Sequence, residues 1–176
     1  MKSLKIGVSG VGNVGGAVLE NLTNTPEIVA SNGGVQIEII QVGARKGKSA
    51  VPYDLDVVTD LMDVAENPEI DVFVELIGGC DLARSLVKKA IENGKNVVTA
   101  NKALIATHGD ELFEFARNKN VQIGFEASVA GGTPVIKALR EGLVANKVKW
   151  FAGILNGTTN FIPVSYTHLT LPTSVI

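Results

Sequence analysis

Residues 4–9 read Leu4-Lys5-Ile6-Gly7-Val8-Ser9 and run directly into Gly10-Val11-Gly12-Asn13-Val14-Gly15. A strand-length apolar run is followed by a turn with glycines at the first, third and sixth positions. A helical pattern then spans residues 14–23. Each glycine has a physical task in this setting. Gly10 permits the tight turn, Gly12 lets backbone approach a pyrophosphate, and Gly15 lets the helix pack closely. The free N–H groups and positive dipole end at the helix start then face the phosphates. The glycine spacing alone is a weak signal. Set between a strand and a helix, at the head of a strand–helix series, it predicts a dinucleotide site.

The rest of the chain supplies that series. A polar loop is expected over residues 24–34, then a strand over 35–42 and a short helix over 59–66. A third strand is expected over 71–77, ended by Gly78-Gly79. Asp81 reads as the N-cap of a helix that buries Leu82, Leu86, Val87, Ala90 and Ile91 on one face, with Gly94 at its C′ end. A strand over 96–99, a helix over 110–118 and a strand over 121–125 follow. Thr133-Pro134 starts a helix to about Leu143, and a sixth strand is expected over 148–154. Such alternation predicts an α/β fold, a doubly wound parallel sheet with right-handed crossovers.

Composition narrows the function classes. The 176 residues are 45% hydrophobic but only 5% aromatic, with 19 glycines, which suits buried parallel strands. The net charge of −2, with both signs mixed along the chain, argues against a nucleic-acid partner. The single Cys80 excludes an internal disulfide and a multi-cysteine zinc site. No apolar run of about 18 residues is present, so no membrane span and a cytoplasmic location are expected.

Ligands of open parallel sheets bind at the carboxyl ends of the strands. There, the second strand exits as Val42-Gly43-Ala44-Arg45-Lys46, with two cations and no acid. An acid would take the ribose 2′-hydroxyl of NAD; a guanidinium can hold the 2′-phosphate of NADP. Arg45 and Lys46 therefore favour NADP, the alternative being a merely solubilising basic loop. On the same edge, Gly78, Thr99 and Lys102 are candidate cofactor contacts, beside Gly10, Gly12, Asn13, Val14 and Gly15. The Lys102 ammonium could also polarise an oxygen or carry a proton, or be a surface lysine at a helix start. The segment from Glu126 to Pro134 offers one carboxylate and several carbonyls, which suits a hard cation, though the spacing alone favours a plain turn. Asn156-Gly157-Thr158-Thr159-Asn160 could line a substrate pocket or simply turn the chain. His108 and Cys80 have no partner cluster.

Together, GVGNVG (residues 10–15), DVFVELIGG (71–79), VVTANKAL (97–104), FEASVAGGTP (125–134) and GILNGTTN (153–160) resemble homoserine dehydrogenases over residues 5–162. The resemblance implies a Rossmann-type NAD(P)-binding domain and interconversion of L-homoserine and L-aspartate 4-semialdehyde, in threonine, methionine and isoleucine biosynthesis. It implies that Lys102 serves proton transfer at the alcohol oxygen. It also implies a monovalent cation, sodium or potassium, at Glu126, Val129, Gly131 and Thr133. Gly157 and Thr158 would lie near the substrate, and the family's members are homo-oligomers. The expected organisation is a dinucleotide-binding domain over residues 1–127 and an incomplete substrate and dimerisation domain over 128–162. The tail over 163–176, PVSYTHLTLPTSVI, is unlike the family and reads as non-native. A chain ending there should bind cofactor but lack groups needed for complete catalysis. A non-catalytic NAD(P)-binding module and another Rossmann dehydrogenase are the alternatives.

Overall fold

A computed structural model describes residues 3–150. Residues Met1–Ser128 form one compact unit and Val129–Ile176 a second. In the first unit, β1 (Ser3–Ser9), β2 (Gln36–Gly43), β3 (Val57–Val58), β4 (Val72–Glu75), β5 (Asn96–Thr99) and β6 (Ile123–Gly124) form one sheet in the order β3-β2-β1-β4-β5-β6. Every pairing is parallel. The chain first winds outward from β1 to β3, then returns to β4 and winds the other way. The order therefore reverses between β1 and β4, which opens a crevice at their carboxyl ends.

Side-chain alternation feeds two cores, one on each face of the sheet. In β4, Phe73 packs with Leu86, Val87, Ile91, Leu104 and Leu112. Its neighbours Val72 and Val74 join Ile6, Val8, Leu19 and Val42 in the other core. A period of two thus separates the helices on opposite faces, as a doubly wound sheet requires.

Among the described residues six α-helices accompany the strands: α1 (Asn13–Asn24), α2 (Pro26–Gly33), α3 (Leu61–Glu66), α4 (Asp81–Glu92), α5 (Lys102–Asn118) and α6 (Val135–Lys137). Several differ from expectation. The loop over 24–34 is mostly α2, started by Pro26 at its first position and closed by Gly34 in the left-handed region. Asp81 does not cap α4 but is its first residue, and Cys80 occupies the cap without a side-chain bond. Leu82 points outward, 48% exposed, while the other four named apolar residues of α4 are buried. The helix expected over 110–118 begins eight residues earlier, at Lys102. The strand over 121–125 pairs only at Ile123–Gly124. The pair β3 was missed because two residues carry no period.

In the second unit, α6 spans three residues and passes into a π-helical turn, Ala138–Gly142. Pro134, not Thr133, precedes α6 as its cap. The strand expected over 148–154 begins in residues without regular structure, and Trp150 is exposed; the remainder lies outside the described residues.

Two polar clusters tie the helices of the first unit. Arg84 of α4 grips Glu111 of α5 with both ends of its guanidinium, Nε to Oε2 at 2.8 Å and Nη2 to Oε1 at 2.7 Å. Lys88 Nζ adds a bond to Oε1 at 2.9 Å and sits over the Phe115 ring. These hydrogen bonds, Arg84's first and Lys88's second, pull the Glu111 carboxyl down to about 2. The same bond from Glu111 raises the Arg84 guanidinium. Elsewhere, Lys95 Nζ donates to the carbonyls of Asn67 and Ile70, at 2.5 and 3.2 Å, beyond the end of α3. Burial lowers the Lys95 ammonium pKa, partly offset by Asp71.

Candidate functional site

The carboxyl edge is built by register. Gly43 pairs with Ser9, Ser9 with Glu75, and Glu75 with Thr99, so the ends of four strands align in one row. At the β1 end the chain turns through Gly10, with φ of +102°. A Cβ there would stand 2.6 Å from the Leu76 carbonyl, so only glycine fits. A Cβ on Gly15 would strike the Gly10 carbonyl oxygen, which explains why the sixth position of the motif is also glycine. Gly12 differs from both. A Cβ on it would meet nothing within 4 Å, so its backbone faces open space.

That space is a cleft of about 690 Å³ lined by Gly10, Val11, Gly12, Gly43, Ala44, Arg45, Lys46, Leu61 and Ile77, among others. Its floor is the reversal point of the sheet, its apolar wall is Leu61, Leu76 and Ile77, and its basic end is Arg45 and Lys46. Ser9 Oγ, at the carboxyl end of β1, is buried without a hydrogen-bond partner, unlike any other buried side-chain N or O among the described residues. A glycine cradle and an apolar slot at the reversal point of the sheet fit a dinucleotide.

The structure thus brings Gly10, Gly12, Arg45 and Lys46 together. Gly15 is buried behind the turn. Asn13 and Val14 do not line this cleft; both are exposed on the first turn of α1, along a shallow groove with Ala17, Val18, Asn21 and Leu22. Gly78 is exposed, with φ of +73°, on the turn after β4. Thr99 is buried, and its hydroxyl is engaged by Glu75 Oε2 at 2.5 Å. Lys102 is exposed at the first position of α5.

Glu126 opens a 3₁₀ turn, Glu126–Ser128, in the first unit, while Val129, Gly131 and Thr133 belong to the second. Thr133 N–H donates to the Ala130 carbonyl at 2.9 Å. Among the described residues no group of three or more His, Cys, Asp and Glu converges as a metal site. Gly157 and Thr158 lie outside the described residues. Sequence reasoning missed Glu75 and Asn101. The amide directly before Lys102 was a signal for Asn101, whereas an acid closing the apolar run Val72-Phe73-Val74 carries no mark of its burial.

Comparison with known proteins agrees with this geometry. Residues 10–126 match the family model described as the NAD-binding domain of homoserine dehydrogenase. Residues 134–171 match the homoserine dehydrogenase model, which reaches into the stretch read above as foreign to the family. The homoserine dehydrogenase of Pseudomonas aeruginosa is 56% identical over 163 residues, covering 92% of this chain and 38% of that protein. The crystal structure of the Thiobacillus denitrificans homoserine dehydrogenase superposes with a TM-score of 0.86 at 46% identity, over 96% of this chain and 40% of that one. A hyperthermophilic archaeal homoserine dehydrogenase in complex with NADPH superposes with a TM-score of 0.66 at 28% identity, over 81% of this chain and 50% of that one. The chain thus spans about two fifths of the length of the bacterial relatives named here. No helix of the described residues is long and apolar enough to cross a membrane. With the match across its dinucleotide-binding sheet and the glycine turn at its reversal point, the chain belongs to the homoserine dehydrogenase family.

Proposed function

We propose that this chain supplies the NADP-binding part of an enzyme that interconverts L-homoserine and L-aspartate 4-semialdehyde. The observation that carries the reading is the cleft at the sheet's reversal point, with open backbone at Gly12 and Arg45 and Lys46 at its far end. Gly10 and Gly12 would receive the pyrophosphate, and Arg45 would take the 2′-phosphate as a bidentate partner. The NADPH complex of the archaeal relative supports the choice of the phosphorylated cofactor. When bound, the nicotinamide supplies the hydride acceptor. Lys102, at the head of α5 on the same sheet edge, would hold or move the proton at the homoserine hydroxyl. Homoserine itself, the homo-oligomer, and a sodium or potassium ion at Glu126, Val129, Gly131 and Thr133 follow from family membership and stand as parts of the same proposal.

The test joins residues 1–162 to the region that follows in the Pseudomonas aeruginosa relative and follows NADPH formation with L-homoserine. The expected result is turnover that Lys102→Ala lowers by at least about 10²-fold while NADPH binding persists. A hybrid that binds NADPH and oxidises other alcohols but not homoserine would contradict the substrate assignment.

A further inference from the structure

The buried edge beneath Lys102 holds a hydrogen-bond clasp centred on Glu75. Its carboxyl group is fully buried at the end of β4. Oε1 accepts from the Ile77 N–H at 2.9 Å and the Gly78 N–H at 3.4 Å. Oε2 accepts from the Thr99 hydroxyl at 2.5 Å. Thr99 Oγ1 in turn accepts from the Asn101 N–H at 3.0 Å. Asn101 then does two things at once. Its Oδ1 accepts from the Leu104 N–H at 3.1 Å and caps α5, and its Nδ2 donates to the Gly79 carbonyl at 2.6 Å. Ser128 Oγ closes the far side with a bond to the Thr99 carbonyl at 2.8 Å.

The clasp joins two pieces of backbone that lie just beyond the paired ends of β4 and β5. One is the Gly78-Gly79 turn, with two consecutive left-handed residues at φ of +73° and +75°. Nothing stands within 4 Å of where either Cβ would be, so the turn has no side-chain packing of its own. The other is the first turn of α5, which carries Lys102. A buried acid that spends its acceptors on two loop N–H groups and one hydroxyl is a costly way to hold a loop, since each bond must offset desolvation. No lysine or arginine pairs with Glu75 among the described residues, so a salt bridge does not account for it.

We infer that Glu75 and Asn101 are positioning residues that lock the Gly78-Gly79 turn and Lys102 into one rigid rim for the nicotinamide half of the dinucleotide. The inference rests on the NADP-binding reading above. In a sheet of this order the two mononucleotide halves lie on opposite sides of the reversal point. Arg45 lies on the β2 side and the clasp on the β4–β5 side, so the clasp acts on one half only.

That asymmetry supplies the test. The 176-residue chain is titrated by calorimetry with NADPH and with 2′,5′-ADP, which carries the adenosine half and the 2′-phosphate alone. Two variants are used. Glu75→Gln keeps the volume and one acceptor but cannot accept on both sides. Asn101→Ser keeps a helix cap but is too short to reach the Gly79 carbonyl. Either variant is expected to weaken NADPH about 5- to 20-fold, roughly the loss of one to two net hydrogen bonds, and to leave 2′,5′-ADP within about twofold. Asn101→Ser keeps the question open to experiment if Glu75→Gln fails to fold. Equal losses for both ligands would reduce the clasp to a purely structural role, and unchanged NADPH affinity in Asn101→Ser would overturn the inference outright. A wild-type chain that binds neither ligand would instead defeat the NADP-binding reading.

Discussion

At the scale of single residues, Gly12 and Gly15 of the first turn make opposite predictions although they share one motif. Gly12 faces open space, so Gly12→Val should fold normally and lose NADPH affinity by at least about tenfold, because the branched side chain occupies the phosphate approach. Gly15→Ala should leave the cleft empty of new atoms yet destabilise the fold by about 1–3 kcal/mol or more, since its Cβ collides with the Gly10 carbonyl. Melting curves alongside NADPH titration separate the two. A Gly12→Val protein that binds normally would mean the turn does not hold phosphate. The tasks of Gly10 and Gly15 were legible in the sequence because a left-handed turn and a close helix approach admit glycine and little else. The role of Glu75 was not. An acid after Val72-Phe73-Val74 reads equally as an exposed strand end, and only the fold shows it buried against Thr99, 24 residues away in sequence.

At the scale of elements, the long helix α5 was half read. Its amphipathic part over 110–118 shows in the pattern, but its first turns rest on the Asn101 cap and on Leu104 buried under the sheet. Helix α2 and strand β3 escaped for a related reason: short pieces owe their existence to neighbours rather than to their own period. The contact between α4 and α5 yields a pH prediction. The Glu111 carboxyl titrates at about 2 in the fold against 4.5 ordinarily. A depressed carboxyl pKa stabilises the fold at pH above the ordinary value, and that contribution is lost as pH falls from about 4.5 toward 2. Glu111→Gln should therefore lower the melting temperature at pH 6, with a gap to the parent that narrows as pH falls below about 4.5 and closes only below about 2. A gap of constant size across that range would show that the Arg84–Glu111 pair adds nothing. Both groups are well hydrated, so the gap should be small and should shrink further in high salt. By contrast Phe73→Ala, in the core shared by α4 and α5, should cost about 3–5 kcal/mol at every pH. A loss below about 1 kcal/mol in chemical denaturation would show that the site collapses around the cavity.

At the scale of the whole molecule, the sheet order and the cofactor site belong together. Winding outward from β1 in both directions leaves a crevice, and among the described residues the basic side chains that line the cleft there are Arg45 and Lys46. Strand–helix alternation predicted the doubly wound sheet without stating its order, because pairing is decided by packing between segments far apart in sequence. A dinucleotide held at Gly10 and Gly12 would bring its 2′-position to the end of β2, where Arg45 and Lys46 line the cleft. The most direct test of the account is therefore a calorimetric titration of the chain with NADPH and NADH, repeated in Arg45→Ala. The account predicts that NADPH binds at least about tenfold tighter than NADH, a difference of about 1.4 kcal/mol, and that Arg45→Ala removes most of this margin while leaving NADH affinity unchanged. Equal affinities for the two cofactors, unaltered by the substitution, would contradict it.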